Sequence, residues 1–334
     1  MIPDARYVLP LRWRDDAGLP ELVSYLRQLV EWIPVTVVDG SAPELFRAHA
    51  AALPAGVVHL PPEPWPGGNG KVAGVMTGVT HAREERLILA DDDVRYGAEA
   101  LHRVVALLAG ADLVRPQNYF APLPWHARWD TGRTLLNRAF GADYPGTLGV
   151  RRSRLLAAGG YDGDVLFENL ELIRTIRAAG GREVIARDLC VPRLPPTVRH
   201  FVGQRIRQAY DDFAQPGRLA AELSLAPLLL WAARRPPRLL VLVLAAIGAA
   251  CWGRRGAEGA FDRSAPLWAP VWLLERAVCI WLAVGYRLRG GVPYAGSRLR
   301  TAAHSRHELQ QRHAGGAAPR VAGATAPATG ADDA

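Results

Sequence analysis

The sequence predicts an α/β domain, a mostly parallel sheet flanked by helices, followed by membrane-associated C-terminal helices. Three observations carry this. From Tyr7 to Val191 short apolar runs alternate with segments of helical periodicity, the pattern of a mostly parallel sheet covered on both faces. One of these runs, Leu87-Ile88-Leu89-Ala90, ends abruptly on Asp91-Asp92-Asp93 before Val94. Strand ends of that kind deliver ligand-binding groups to the crevice of an open α/β sheet. Beyond Phe213 the apolar runs lengthen.

The elements follow in order. Residues 7–11 read as the first strand, and Asp15 or Asp16 is placed to cap a helix. Its apolar positions Leu19, Leu22, Val23, Leu26, Leu29 and Val30 recur at helical spacing. Residues 35–38 form a second strand ending at Asp39-Gly40-Ser41, 43–53 a short helix and 57–60 a third strand. A Pro/Gly-rich loop over 61–70 leads to Lys71, which opens a helix with Val72, Val75, Met76 and Val79 on one face. After the acidic strand, 98–109 is helical and 113–116 strand-like. Trp125 and Trp129 lie four apart on a helix beside His126, Arg128 and Asp130, where core packing and contact with an acceptor are both open. Residues 147–151 read as a strand and Gly159-Gly160-Tyr161-Asp162 as a turn. A helix then opens at Phe167-Glu168-Asn169-Leu170-Glu171, with Leu170, Ile173 and Ile176 inward. Residues 183–191 form another strand, and 198–213 a basic amphipathic helix.

The 334 residues carry a net charge of +8, almost wholly from arginine, since Lys71 is the only lysine. A basic balance suits anionic lipid or phosphorylated substrates. Nucleic acid is disfavoured, because no Lys/Arg-rich block interleaved with aromatics is present. Cys190, Cys251 and Cys279 are widely spaced and odd in number, which implies neither a zinc site nor a disulfide framework and fits a reducing compartment. Met1-Ile2-Pro3-Asp4 leads into strand-like sequence without a signal-peptide pattern.

Three adjacent carboxylates repel one another by roughly 1–4 kcal/mol per pair. A solvated turn tolerates this, and so does a strand end that holds a hard divalent cation. Arg95 and Tyr96 occupy the positions at which a calcium loop needs a ligand and a glycine, and at which a DDxxD motif needs aspartate. The cluster therefore reads as DxD.

Together these pieces resemble the family 2 glycosyltransferases with a GT-A fold, in particular the membrane-attached members. The match runs from about Tyr7 to Phe213. It comprises Asp-Gly-Ser after the second strand, a Gly-rich loop ending in Gly-Lys, DxD at a strand end, Gly-Gly-Tyr-Asp, an acidic helix start and a late QxxR. The resemblance implies that Asp39 contacts the nucleotide base, that Lys71 lies near the nucleotide, and that Asp91 faces the ribose or sugar. Asp93, with Asp91, would bind Mn²⁺ or Mg²⁺ bridging the diphosphate. Gln204 and Arg207 would hold the diphosphate and line the acceptor channel, a task for which the arginine fork is suited. Two positions depart from the family pattern. Asn169 stands where the catalytic Asp usually follows Glu, which leaves Glu168 as the base, although neighbouring helix residues point about 100° apart. Gln208 stands where a Trp usually follows QxxR, with Tyr210 the nearest aromatic.

Three apolar runs, 225–233, 239–252 and 267–288, mark the C-terminal region. A spanning helix needs about 20 apolar residues. The second run is short and the third contains Glu275-Arg276, so a spanning hairpin, an interfacial pair and a soluble helical subdomain are all open. Arg234, Arg235 and Arg238, and again Arg287, Arg289, Arg298 and Arg300, flank the region. Positive-inside logic puts the catalytic domain on the cytoplasmic side of the cell membrane. The expected organisation is a catalytic domain over 1–215, a membrane-associated helical region over 216–300 and a tail over 301–334, disordered from about 314. The expected activity is metal-dependent transfer of a sugar from a nucleoside-diphosphate sugar to a lipid or glycan acceptor, with inversion. The alternative is a non-catalytic nucleotide-sugar-binding or scaffold relative, motivated by Asn169. A nucleotidyltransferase would need a Gly-rich loop after the first strand, where Leu11-Arg12-Trp13-Arg14 stands.

Overall fold

A computed structural model describes residues 1–294 and 297–314. The strands of the main sheet are β1 (Ala5–Leu11), β2 (Val35–Asp39), β3 (Val57–Leu60), β4 (Arg86–Ala90), β5 (Leu113–Phe120), β6 (Thr147–Arg151) and β7 (Glu183–Arg193). Around them lie α1 (Leu19–Trp32), α2 (Pro43–Ala52), α3 (Gly70–His81), α4 (Ala98–Leu107), α5 (Trp125–Phe140), α6 (Arg152–Ala157), α7 (Glu168–Ala178) and α8 (Val198–Tyr210). The sheet order is β3-β2-β1-β4-β6-β5-β7. All pairings are parallel except those of β6, which runs antiparallel to both β4 and β5.

Burial explains the unbroken apolar run of β4. Ile88 and Ala90 pack on one face with Leu22, Leu26 and Leu101, and Leu87 and Leu89 on the other with Val72, Val75 and Ile173. A strand covered on both faces has no reason to alternate. The chain leaves β1 toward β2 on one side and adds β4 on the other, so the acids at the end of β4 lie at a topological switch point.

One local expectation is corrected. Neither Asp15 nor Asp16 caps α1, whose N-cap is Gly18 with no side-chain cap bond. Asp15 instead accepts the Ala17 N–H, and Asp16 lies 3.0 Å from His49 Nε2.

The chain continues through α9 (Pro216–Leu223), α10 (Leu225–Ala233), α11 (Pro236–Arg254) and α12 (Ala269–Leu288). The described part then ends with the hairpin of β8 (Val292–Tyr294) and β9 (Ser297–Leu299), and with α13 (Arg306–Ala314). By length and composition α11 and α12 are apolar enough to cross a membrane. The Glu275-Arg276 pair within α12 turns inward: Glu275 lies 3.5 Å from Arg205 of α8, and fully buried Arg276 lies 3.1 Å from Asp212. On α11, Gly253 sits so close to α5 that a Cβ there would stand 1.9 Å from the Leu135 carbonyl oxygen. Arg138 of α5, 1% exposed, donates to the carbonyls of Gly253 and Arg255. A backbone carbonyl cannot swing aside as a rotamer can. Gly253→Ala is therefore expected to destabilise the fold by about 1–3 kcal/mol through overpacking, measured as a lower urea midpoint.

The described part of the tail packs against the segment that enters α7. Leu166 and Phe167 donate their N–H groups to the carbonyls of Thr301 and Ala302, and Leu309 of α13 is buried. The disorder expected from about 314 concerns 315–334, outside the described residues.

Candidate active site

The acids of the β4 end are held between the residue before β6 and the residue after β7. The Asp91 N–H donates to the Gly146 carbonyl at 2.8 Å, and the Asp93 carbonyl accepts the Leu194 N–H at 2.7 Å. A side chain at Gly146 would stand 2.6 Å from Asp91 Oδ2, so the glycine makes room for the carboxylate. Alternation then sorts the triplet. Asp92 points away and accepts the Trp13 indole N–H, its carboxyl pushed up to about 6 by burial and by Asp93. Asp91 and Asp93 face the cluster. Asp91 Oδ1 is 2.6 Å from Lys71 Nζ, which also lies 2.5 Å from Glu168 Oε1. Asp93 Oδ2 accepts from Arg193 Nη2 at 2.5 Å and Nε at 3.1 Å, and Arg193 Nη2 is 4.0 Å from Asp91. Burial would lower Lys71 and Arg193, but the facing carboxylates outweigh it and keep both cationic.

The remaining oxygen, Asp93 Oδ1, is buried without a hydrogen-bond partner. An orphaned carboxylate oxygen is costly. A hard cation shared with Asp91 would relieve it, and an all-oxygen donor set suits Mg²⁺ or Mn²⁺. The residues present therefore fit the metal.

Lys71 and Glu168 are distant in sequence, and a loop contact brings them together. Gly67 has φ +107° and packs so tightly on Gly163 that a Cβ would stand 2.2 Å from its carbonyl carbon. Asn69 donates its N–H to the Gly163 carbonyl and its Nδ2 to the Val165 carbonyl, and accepts from Lys71 N–H to cap α3. The Gly-rich loop thus docks on the segment that enters α7. Asn169 faces elsewhere and donates Nδ2 to the Pro145 carbonyl at 3.1 Å.

The other expected residues are spread around this cluster. Asp39 is 1% exposed and already engaged: Oδ2 lies 2.6 Å from His49 Nδ1 and 3.2 Å from His59 Nε2, and Oδ1 accepts the Ser41 N–H. Burial raises its pKa, and the hydrogen bonds from His59, Ser41 and His49 more than reverse this. Gln204 bonds His200 within α8. The Arg207 guanidinium lies over the Tyr294 ring at 5.1 Å, and Tyr294 in turn feels the charges of Glu168, Arg207 and Lys71. His200 feels Asp93 and Arg193, so α8 runs along the cluster. Arg193, Trp13, His49 and Tyr294 were not singled out from the sequence. Only Arg193, basic at a strand end, left a usable signal there. A second acidic group, Asp162, Glu171 and His304, is closed by Arg312, which bonds both Asp162 and His304.

Just after α8, Asp211 Oδ1 is buried and unpartnered, and burial pushes this carboxyl up to about 8 against the opposing charge of Arg207. An unfolded aspartate titrates near 3.9. Across that interval the folded chain keeps a proton that the unfolded chain has lost, so stability falls as pH rises. Asp211→Asn is expected to unfold like wild type at about pH 4 and to be the more stable protein at about pH 9, read from urea midpoints.

Seven strands in this order, with one antiparallel member and paired acids at the switch point, decide the architecture. The domain has a GT-A fold. No family model matches the sequence, and no curated protein matches it. Among solved structures, the chain is similar to a mannosyltransferase from Pyrobaculum calidifontis in complex with GDP-Man and Mn²⁺. That match has 19% identity over 84% of this chain and 87% of that one, with a TM-score of 0.47. A glucosyl-3-phosphoglycerate synthase from Mycobacterium tuberculosis, in complex with Mn²⁺, UDP and phosphoglyceric acid, matches at 14% identity over 59% and 73%, TM-score 0.39. TarS 1–349 from S. aureus matches at 14% over 88% and 95%, TM-score 0.40. At such scores the function rests on this chain's own residues.

Proposed function

We propose that this chain is a metal-dependent glycosyltransferase that moves a sugar from a nucleoside-diphosphate sugar to an acceptor at the membrane, a lipid or polyprenyl-linked glycan. The observation that carries this is the buried, unpartnered Asp93 Oδ1 beside Asp91, flanked by Lys71 and Arg193. Two inward carboxylates with two cations beside them suit a metal-bound diphosphate, where charge must be both held and shared. Mn²⁺ or Mg²⁺ on Asp91 and Asp93 would stabilise the diphosphate as it leaves. Lys71 would move from its carboxylates toward phosphate oxygens, with Arg207 and Gln204 on the far side. Asp39 would act at the base end together with His49 and His59, to which it is already bonded. Glu168 would take the proton of the acceptor hydroxyl as the new C1–O bond forms and the C1–O bond to the diphosphate breaks, with inversion.

The test is donor binding and hydrolysis across a panel of nucleotide sugars with and without Mn²⁺. Binding that requires the metal is expected, and no binding of any donor would sink the proposal. Asn169→Asp separates the catalytic reading from a scaffold. A carboxylate cannot donate to the Pro145 carbonyl, so the variant is expected to lose activity. An inactive wild type that gains activity from this change would favour the scaffold.

Membrane attachment is part of the same reading. Leu230 and Trp231 of α10, Leu240 and Leu244 of α11, and Val278 and Trp281 of α12 are exposed, with Arg234, Arg235 and Arg238 between them. The inward ion pairs of α12 tie it to the catalytic domain, which favours helices lying in the interface over a spanning hairpin. Seated this way, the arginines would face the anionic cytoplasmic leaflet. Co-sedimentation with anionic vesicles is expected, and a chain left wholly in the supernatant would remove this part.

A further inference from the structure

A cavity of about 620 Å³ lies between α5, α9, α10, α11 and α12. Its walls are apolar: Leu225 and Leu229 of α10, Leu242, Ala245 and Ala246 of α11, and Leu273 of α12. Its polar lining comes from Asn137 of α5, from Tyr144 and Gln215 just outside the helices, and from Arg218 of α9, which is paired with Asp212 and Glu222. There Tyr144 donates to Gln215 at 2.9 Å. Trp272 and Glu222 also line the cavity, 4% and 5% exposed. Glu222 is held by Arg276 Nε at 3.5 Å and by Arg218 Nε at 3.0 Å.

These features select a ligand. A soluble sugar or nucleotide would strand its hydroxyls against leucine, at about 1–3 kcal/mol for each unsatisfied group. An apolar chain meets no such cost, and the volume lies within the ordinary range for a ligand site. Tyr144 and Gln215 offer a neutral hydroxyl and a neutral amide, which match a hydroxyl rather than a charged head. Tyr144 gives the cavity a direction. It also lines a small polar pocket with Arg193, the partner of Asp93, and its ring packs on Phe167 at 4.9 Å, next to Glu168. Exposed Leu228 also lines the cavity, on the apolar face of α10.

We propose that this cavity holds the apolar chain of the acceptor, a single-chain lipid with a hydroxyl-bearing head directed toward Tyr144. This rests on the glycosyl-transfer reading for the word acceptor, and on the cavity alone for the lipid.

The test uses the full chain in detergent and a long-chain alcohol with a diazirine at its tail. Photolabelling is expected to map to α10 and α11. It should fall roughly tenfold, or about 1.4 kcal/mol, in Ala245→Phe and in Leu229→Trp, which fill the cavity from α11 and from α10. Tyr144→Phe keeps the ring and removes the O–H. It should weaken labelling by the alcohol and spare labelling by a diazirine hydrocarbon of equal length. Mn²⁺-dependent donor binding should be unchanged in Ala245→Phe and Leu229→Trp, while transfer to lipid acceptors is lost. Labelling indifferent to both filling variants overturns the proposal. So does equal competition by phosphatidylcholine, which would make the cavity a seat for bulk lipid, or transfer that survives filling. A wild type that takes the label but binds no nucleotide sugar would instead overturn the glycosyltransferase reading and leave the lipid site standing.

Discussion

Asp93→Asn is expected to abolish Mn²⁺-dependent donor binding and to lower turnover by about 10²–10³-fold, the scale of losing a preorganised charge contact to the transition state. The substitution keeps the shape of the side chain and removes the charge. It converts the buried, unpartnered oxygen into part of a neutral amide and leaves Arg193 with Asp91 as its nearest carboxylate, at 4.0 Å. Calorimetric titration of a nucleotide sugar with and without Mn²⁺ reads the effect directly. A variant that still bound donor only when metal was added would show that the ion sits elsewhere.

Glu168→Gln is the second large effect, and it should divide binding from chemistry. Gln preserves an acceptor for Lys71, now at 2.5 Å from Glu168, so the lysine stays placed. It cannot take a proton, and loss of a general base lowers the rate by about 10²–10⁴-fold. The expected result is an unchanged KM for the donor with a collapsed kcat. Turnover equal to wild type would transfer the role to another group, and buried Asp211, within electrostatic reach of Glu168, would be the next to substitute.

The sheet was legible because burial leaves a direct mark: β4, covered on both faces, has to be apolar throughout, and its acids have to follow where the crevice opens. The antiparallel direction of β6 left no such mark, since a buried run reads the same in either sense. The meeting of Lys71 with Glu168 was legible only through the family resemblance. Local spacing says nothing about two residues joined through Gly67 on Gly163. Asp39 was found by its turn, but the two histidines that engage it come from α2 and β3, and only the folded chain puts them together. Glu275 and Arg276 looked like charges stranded in an apolar run. Their partners, Arg205 and Asp212, precede them by 70 and 64 residues and had no visible connection to them.

Those inward pairs bear on how the protein can be handled. A truncation made after residue 215 to obtain the GT-A domain alone would strip Arg205 of Glu275, take the Gly253 and Arg255 carbonyls from Arg138, and free the N–H groups of Leu166 and Phe167 just ahead of Glu168. The greasy C-terminal third is thus a wall of the GT-A domain, and preparations that discard it would discard the support beneath Glu168.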